Sequence, residues 1–182
     1  MTGSVKNLKL PPLSQVGLVV KDLHASAGYY AETLGIRPWY LVKSPPKEMV
    51  YCRGQEVPPE FTIALAFTGN IQLELIQPRD GDRSIYSEHL ERGKEGLHHF
   101  GYFVWNLDRY LERAQKLGIK PLQWGHIGTR GGLMTRYAYL DTIDACGYIH
   151  EVIETKLAGI PWAMSPLQMR LGILLGAVEE IA

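Results

Sequence analysis

One pattern occurs twice in this chain, and the internal repeat constrains the fold more than any other feature. Gln15-Val-Gly-Leu-Val-Val20 matches His99-Phe-Gly-Tyr-Phe-Val104, with a polar residue first and then an apolar run with glycine in third place. Each copy continues into a helix-like segment that ends in Leu-Gly-Ile, at 22–36 and 106–119. Repetition of this kind indicates a duplicated structural module.

Each half of the chain also contains a strand-like run with one glutamate. Glu74 lies in Ile71–Ile76, and Glu151 lies at the matching place in Tyr148–Ile153. Because side chains alternate across a strand, each glutamate faces away from the apolar residues beside it. The repeat therefore predicts that four polar side chains converge on one site: Gln15, Glu74, His99 and Glu151.

The order of the elements is predicted to be strand, helix and three strands in each half. Asp22 suits a helix N-cap and Gly35 a helix end. This order divides the chain into an N-terminal extension (1–12), a first βαβββ module (13–78), a linker with a short helix (79–96), a second βαβββ module (97–155) and a C-terminal helical tail (156–182).

Three local patterns give further predictions. The proline-rich segment 43–59 is expected to be a loop without regular structure, except around Met49–Arg53. The strict alternation of the strand at His99 predicts that His98 points away from His99. In the tail, apolar residues at helical spacing predict one helical stripe that covers the domain or a partner subunit: Leu167, Leu171, Leu174, Leu175, Val178 and Ile181.

Composition excludes several classes of function. The chain has 19 basic and 19 acidic residues without a basic block, which argues against nucleic acid as a partner. Cys52 and Cys146 are too few for a disulfide framework. No apolar run suits a signal peptide or a membrane span, so we expect a cytoplasmic protein that does not bind membranes.

The predicted quartet has the chemistry of a metal site. A buried carboxylate needs a cation, hydrogen bonds or access to a cavity, because its burial alone costs several kcal/mol. Two carboxylates, an imidazole and an amide oxygen suit a divalent metal such as Zn, Ni, Co, Mn or Fe. Taken singly, His99 could be an ordinary core histidine and Glu74 a solvent-facing residue; their matched places in the repeat favour a shared site.

Three stretches of the sequence resemble the vicinal oxygen chelate superfamily, which includes glyoxalase I, methylmalonyl-CoA epimerase, extradiol dioxygenases and bleomycin-resistance proteins. They are 15–23, Leu73-Glu-Leu-Ile-Gln-Pro78 and Gly96-Leu-His-His-Phe-Gly-Tyr-Phe-Val104. The region from Ser84-Ile85 to His98-His99 is most similar to methylmalonyl-CoA epimerases, and the Gln, Glu, His, Glu quartet is similar to that of some glyoxalase I enzymes. The resemblance implies an α+β fold in which two βαβββ modules form a curled mixed sheet around a metal cavity, often in a homodimer. It also implies that the quartet binds the metal and that Glu151 is the catalytic base.

The resemblance implies a metal-dependent isomerase, epimerase or lyase. Such an enzyme removes a proton next to a metal-bound carbonyl through an enolate or enediolate, on a small-molecule or acyl-CoA-type substrate. Epimerisation needs a second base, for which Glu60 is the candidate, although Thr62 occupies the position expected to face inward. Three alternatives stay open: a glyoxalase I-type lactoylglutathione lyase, an extradiol-type dioxygenase, and a metal-free binding protein of the resistance type.

Overall fold

The computed structural model describes residues 5–43, 47–128, 132–162 and 165–182. A short 3-10 helix, Val5–Leu8, precedes the repeats. The first half contains β1 (Gln15–Val19), α1 (Leu23–Leu34), β2 (Tyr40–Val42), β3 (Lys47–Cys52), β4 (Gln55–Val57), β5 (Phe61–Thr68) and β6 (Ile71–Pro78), followed by α2 (Ile85–Glu91). The second half contains β7 (Gly96–Phe103), α3 (Leu107–Lys116), β8 (Pro121–Gly128), β9 (Leu133–Leu140), α4 (Ile143–Cys146), β10 (Ile149–Leu157), β11 (Ile160–Pro161), α5 (Pro166–Leu174) and β12 (Val178–Glu180).

The strands form one mixed sheet in the order β12-β2-β5-β6-β1-β7-β10-β9-β8-β3-β4, with β11 paired to β10. In the first half β1 runs parallel to β6, and in the second half β7 runs parallel to β10. The two halves meet where β1 and β7 pair antiparallel. The predicted α+β fold of two βαβββ modules in a curled mixed sheet is confirmed, whereas the exact domain limits stay a prediction.

The helix of each module begins in the same way. Asp22 accepts a hydrogen bond from the backbone N–H of Ala25 at 2.9 Å, and Asn106 accepts one from Arg109 at 3.1 Å. These caps satisfy backbone donors that a helix start leaves unpaired. Helix α1 ends at Gly35, whose φ of 67° is left-handed. The predicted cap and stop of α1 are confirmed.

The sheet has two differently covered faces. We call the face that carries Glu74, His99 and Glu151 the inner face, and the opposite face the outer face. Helices α1 and α3 pack on the outer face, where α1 contacts a cluster that includes Trp39 and Leu75. Helices α2 and α5 pack on the inner face. The candidate site therefore lies on the side of the sheet that the linker helix covers.

In segment 43–59 the regular structure expected around Met49–Arg53 is present as β3, whereas the prediction of an irregular loop is wrong at Lys47, Glu48 and Gln55–Val57. Strands β3 and β4 form a hairpin whose turn residues, Arg53 and Gly54, have φ of 50° and 83°. Two successive positive φ angles are typical of a tight hairpin turn. Strand β3 then pairs with β8, so an insertion in the first module extends the sheet of the second. Residues 44–46 lie outside the described residues.

The tail is not one helical stripe. Helix α5 ends before Gly176, whose φ is 70°, and Val178 continues as β12 along the edge of β2. Met169 is the residue of α5 that is buried against the inner face, whereas the leucines of the stripe are exposed. No helix in the described ranges is long and apolar enough to span a membrane.

Trp39 provides a test of this packing. Its side chain is fully buried between α1 and the outer face, so Trp39→Ala should lower the free energy of unfolding by about 3–5 kcal/mol through lost burial and a cavity. Trp105→Ala is the matched control, since Trp105 is 69% exposed and its loss should have little effect. Urea unfolding of both variants makes the comparison, and equal destabilisation would contradict the assigned packing.

Candidate metal centre

Three acidic or imidazole side chains come together on the inner face. His99 Nε2 lies 3.1 Å from Glu151 Oε2 and 3.5 Å from Glu74 Oε2. One potential ligand atom of each residue lies within 4.8 Å of those of the other two, an arrangement that could hold a metal ion. The side chains of Glu74, His99 and Glu151 are 12%, 0% and 5% exposed. Three of the four predicted site residues therefore form one buried cluster.

The glycine in each repeat makes room for the polar residue of the other repeat. Gly17 pairs with His99 across β1 and β7, and a Cβ on Gly17 would lie 1.8 Å from His99 Cε1. Gly101 pairs with Gln15 in the same ladder, and a Cβ on Gly101 would lie 2.5 Å from Gln15 Oε1. The third-place glycine of the repeat is thus required by side chains that cross over the neighbouring strand.

Gln15 lies next to the cluster, and a hydrogen bond orients its side-chain amide. Its Nε2 donates to Gln72 Oε1 at 2.8 Å, which turns Oε1 towards Gly101. Gly101 is in turn the register partner of Glu151. Sequence reasoning missed Gln72, although its place two residues before Glu74 on the same strand face was a usable signal.

The donor atoms of the cluster fit a divalent cation. Gln15 Oε1 is buried without a hydrogen-bond partner, whereas His99 Nε2 and Glu151 Oε2 are buried as an ion pair at 3.1 Å. A buried polar atom without a partner costs about 1–3 kcal/mol, and two buried carboxylates beside one imidazole need additional positive charge. Oxygen and imidazole nitrogen donors are those that Zn, Ni, Co, Mn and Fe accept in proteins. The predicted quartet therefore has the chemistry of a metal site, and ligation by each residue stays a prediction.

Charge within the metal-free cluster is partly balanced by a proton on His99. Burial disfavours the charged form of His99, but the carboxylates of Glu151 and Glu74 outweigh burial and raise the pKa of His99 to about 9. Burial raises the pKa of Glu151, and the nearby His99 opposes that rise. The protonated His99 thus stabilises the folded metal-free protein fully below about pH 6.5 and loses this contribution as the pH rises through about 9.

His98 does not point away from His99 as predicted. The ladder of β1 and β7 slips by one residue between Gly17 and Leu18, so that His98 is the extra residue of a β-bulge. A bulge breaks the alternation of side chains and redirects them. As a result the Nδ1 atoms of His98 and His99 lie 3.0 Å apart. Burial, together with His99 and His89, holds the pKa of His98 well below its ordinary value.

Glu60 and Thr62 are not brought to the cluster. On β5 the register partner of Glu74 is Leu65, about 16 Å along the strand from Glu60 at 3.3 Å per residue. Glu60 precedes β5 and forms an ion pair with Arg79 at 3.3 Å. Thr62 shares the strand face of Ala64, which packs in the α1 cluster, so its expected inward direction is wrong. This geometry does not support Glu60 as a second base.

Helix α2 covers the centre through contacts that the sequence did not reveal. The hydroxyls of Tyr86 and Tyr139 lie 2.8 Å apart, and the Tyr139 ring centroid is 4.9 Å from that of His99. Gln123 Oε1 accepts a hydrogen bond from the backbone N–H of Ile85 at 3.2 Å. Because Tyr139 pairs with Glu151 in the ladder of β9 and β10, α2 is fastened directly beside the carboxylate.

The fold is a duplicated module with a buried cluster that could hold a metal ion, and comparison identifies its family. Residues 14–139 match the model of the Glyoxalase/Bleomycin resistance protein/Dioxygenase superfamily, and the chain belongs to this family. The matched range includes Gln15, Glu74 and His99, whereas Glu151 follows it. No curated protein matches the chain.

Several solved structures share the fold at low sequence identity. A hypothetical protein from Bacillus halodurans is 20% identical, with a TM-score of 0.56 over 84% of this chain and 97% of that one. Methylmalonyl-CoA epimerase from Mycobacterium tuberculosis is 20% identical, with a TM-score of 0.55 over 79% and 87%. A Streptomyces coelicolor methylmalonyl-CoA epimerase in complex with 2-nitronate-propionyl-CoA is 19% identical, with a TM-score of 0.58 over 85% and 99%.

The crossing of His99 over Gly17 can be tested directly. Gly17→Ala should displace the imidazole and lower the affinity for Zn²⁺ or Ni²⁺ by about 10- to 100-fold, as expected when a ligand loses its orientation. Gly28→Ala is the matched control, since a Cβ there meets nothing within 4 Å. Calorimetric titration with the metal compares them, and wild-type affinity in Gly17→Ala would contradict the arrangement.

Metal affinity should depend on pH because a metal and a proton compete for His99 Nε2. Since the pKa of His99 is about 9 without metal, affinity should rise about tenfold per pH unit between about pH 6 and 8, with release of about one proton per metal. Titrations in two buffers of different ionisation enthalpy count that proton. Affinity that stays constant over this range, in protein whose circular dichroism is unchanged, would show that the metal does not displace the proton.

Proposed function

We propose that this protein is a metal-dependent isomerase, epimerase or lyase that moves a proton at the carbon next to a substrate carbonyl. The observation that carries the proposal is the buried cluster of Glu74, His99 and Glu151, whose potential ligand atoms lie within 4.8 Å of one another. These residues, with the unpartnered amide oxygen of Gln15, would hold the cation. When bound, a divalent cation supplies positive charge that stabilises the negative charge developing on the carbonyl oxygen.

Glu151 is the residue best placed to take the proton. Its carboxylate lies in the cluster, 3.1 Å from His99 Nε2, and burial raises the pKa of its carboxyl above the ordinary value, which makes the carboxylate a stronger base. The Tyr139 hydroxyl lies beside it and limits that rise. Packing on β10 holds the carboxylate rigidly, because the flanking Val152 is fully buried on the outer face.

The substrate class is proposed from the relatives. Solved structures of similar fold include a methylmalonyl-CoA epimerase in complex with methylmalonyl-CoA. An acyl-CoA-type thioester has the acidic α-carbon that this chemistry requires, and a smaller carbonyl compound would satisfy it equally. A homodimer is proposed because members of the superfamily are often dimers, and light scattering of the purified protein would test it.

The number of histidines at the cluster disfavours one alternative class, the extradiol-type dioxygenases. An extradiol-type dioxygenase uses two histidines and one carboxylate around iron. In the described part of the chain only His99 presents a ring nitrogen to the two carboxylates, while His98 directs its Nδ1 at His99. A glyoxalase I-type lyase uses the same proton chemistry, so lactoylglutathione formation belongs in the substrate screen.

Proton exchange in D₂O tests the proposal. Protein loaded with Ni²⁺, Co²⁺ or Zn²⁺ should introduce deuterium at the α-carbon of methylmalonyl-CoA or the hemithioacetal of methylglyoxal and glutathione. Glu151→Gln should slow exchange by about 10²- to 10⁴-fold because it removes the base. Mass spectrometry of the recovered substrate provides the rate.

Measuring the bound metal in each protein distinguishes a wrongly assigned base from a missing metal ion. Glu112→Gln, an exposed change on α3, should exchange like the wild type. Full exchange in metal-loaded Glu151→Gln would show that another group is the base. A folded wild type that takes up no metal and catalyses no exchange would instead favour the metal-free binding protein.

A further inference from the structure

The bulge on β7 places a second imidazole against the proposed ligand His99. His98 is 4% exposed and lies between the rings of His99, Tyr86 and His89, with centroid separations of 5.3, 5.5 and 5.0 Å. Its Nδ1 is 3.0 Å from His99 Nδ1, within hydrogen-bond distance. One of these two nitrogens must carry the proton that they share.

The surroundings of Nε2, the other ring nitrogen of His99, decide which Nδ1 carries the shared proton. His99 Nε2 faces the carboxylates of Glu74 and Glu151, so it is the nitrogen that would bind a metal held by those carboxylates. A neutral imidazole that offers its Nε2 lone pair must carry its proton on Nδ1. His99 Nδ1–H therefore donates, and His98 Nδ1 must accept with a free lone pair.

The surroundings of His98 Nε2 are consistent with this assignment. With Nδ1 unprotonated, neutral His98 carries its proton on Nε2 and needs an acceptor there. The backbone of Ile85, the first residue of α2, lies on this side and partly offsets the lowering of the pKa of His98 by burial, as a carbonyl that accepts from the ring would. A directed chain thus runs from the proposed metal ligand His99 through His98 to the backbone of α2.

We propose that His98 is a positioning residue that holds His99 in the Nδ1–H tautomer and aims its Nε2 at the metal site. This inference rests on the proposed metal binding by His99. Groups that accept the free N–H of a metal-bound histidine usually fix its orientation, and their loss typically costs 10- to 100-fold in affinity. Here the acceptor is a second histidine, available only because the strand bulges at that point, and its own partner belongs to the helix that covers the site.

The first test reads the protonation of both rings in the metal-free wild-type protein. Long-range ¹H–¹⁵N correlation spectra of ¹⁵N-histidine-labelled protein should show neutral His98 with Nε2 protonated and Nδ1 bare, beside a doubly protonated His99 whose Nδ1–H is the donor. The assignment uses the loss of each signal in single variants. A protonated His98 Nδ1 would overturn the proposal, and this outcome does not depend on whether any metal binds.

The second test measures metal affinity in matched variants. His98→Leu removes the acceptor and should weaken binding of Ni²⁺ or Zn²⁺ by about 10- to 100-fold. His98→Gln restores an acceptor and a donor in a side chain of similar reach and should recover most of the loss. His89→Leu removes the imidazole on the other side of His98, which touches no proposed ligand, and should bind like the wild type.

The outcomes distinguish this inference from the proposed function. Wild-type affinity in folded His98→Leu would overturn the positioning role while leaving the metal site intact. Equal losses in His98→Leu and His98→Gln would also overturn it, because packing rather than hydrogen bonding would then be responsible. Absence of metal binding in the wild type would refute the proposed function, and the tautomer spectra would still decide the arrangement of His98 and His99.

Discussion

The antiparallel pairing of β1 with β7 is the constraint on which the rest of the structure depends. It joins the two modules in one sheet and places each third-place glycine under a polar side chain of the opposite strand. His99 can reach the carboxylates only because Gly17 has no Cβ, and Gln15 lies flat over Gly101 for the same reason. A duplicated sequence thus becomes a single site through close approach of side chain to backbone.

Burial of two carboxylates beside one imidazole is costly, and the surrounding structure shows how the cost is met. Without a cation, a proton on His99 supplies the compensating charge, and the pKa of His99 rises to about 9. A metal ion would replace that proton and would bind the buried amide oxygen of Gln15, which otherwise lacks a partner. Helix α2, attached through the Tyr86–Tyr139 and Gln123–Ile85 hydrogen bonds, keeps the cluster away from bulk water. A substrate that binds at the cluster therefore has to be accommodated beside helix α2.

The departures from sequence expectation have a common cause in non-local pairing. The segment after Val42 looked irregular because of its prolines, yet Arg53-Gly54 forms a hairpin turn and β3 finds a partner in β8 of the other module. The apolar spacing of the tail suggested one helix, but Gly176 ends it and the edge of β2 recruits Val178 as a strand. Strand alternation placed His98 away from His99, and a bulge against β1 reversed that direction. In each case the partner lies far away in sequence.

By itself the sequence determined the duplicated module, the helix cap at Asp22, and the convergence of Glu74, His99 and Glu151, because local propensity and side-chain alternation follow from neighbouring residues. Only the tertiary structure decided the register between strands, and with it the pairing of Gln15 with Gln72, the exclusion of Glu60, and the contact between His98 and His99. Register and bulges depend on which strands meet and on the space between their side chains, and a repeat pattern alone does not encode either.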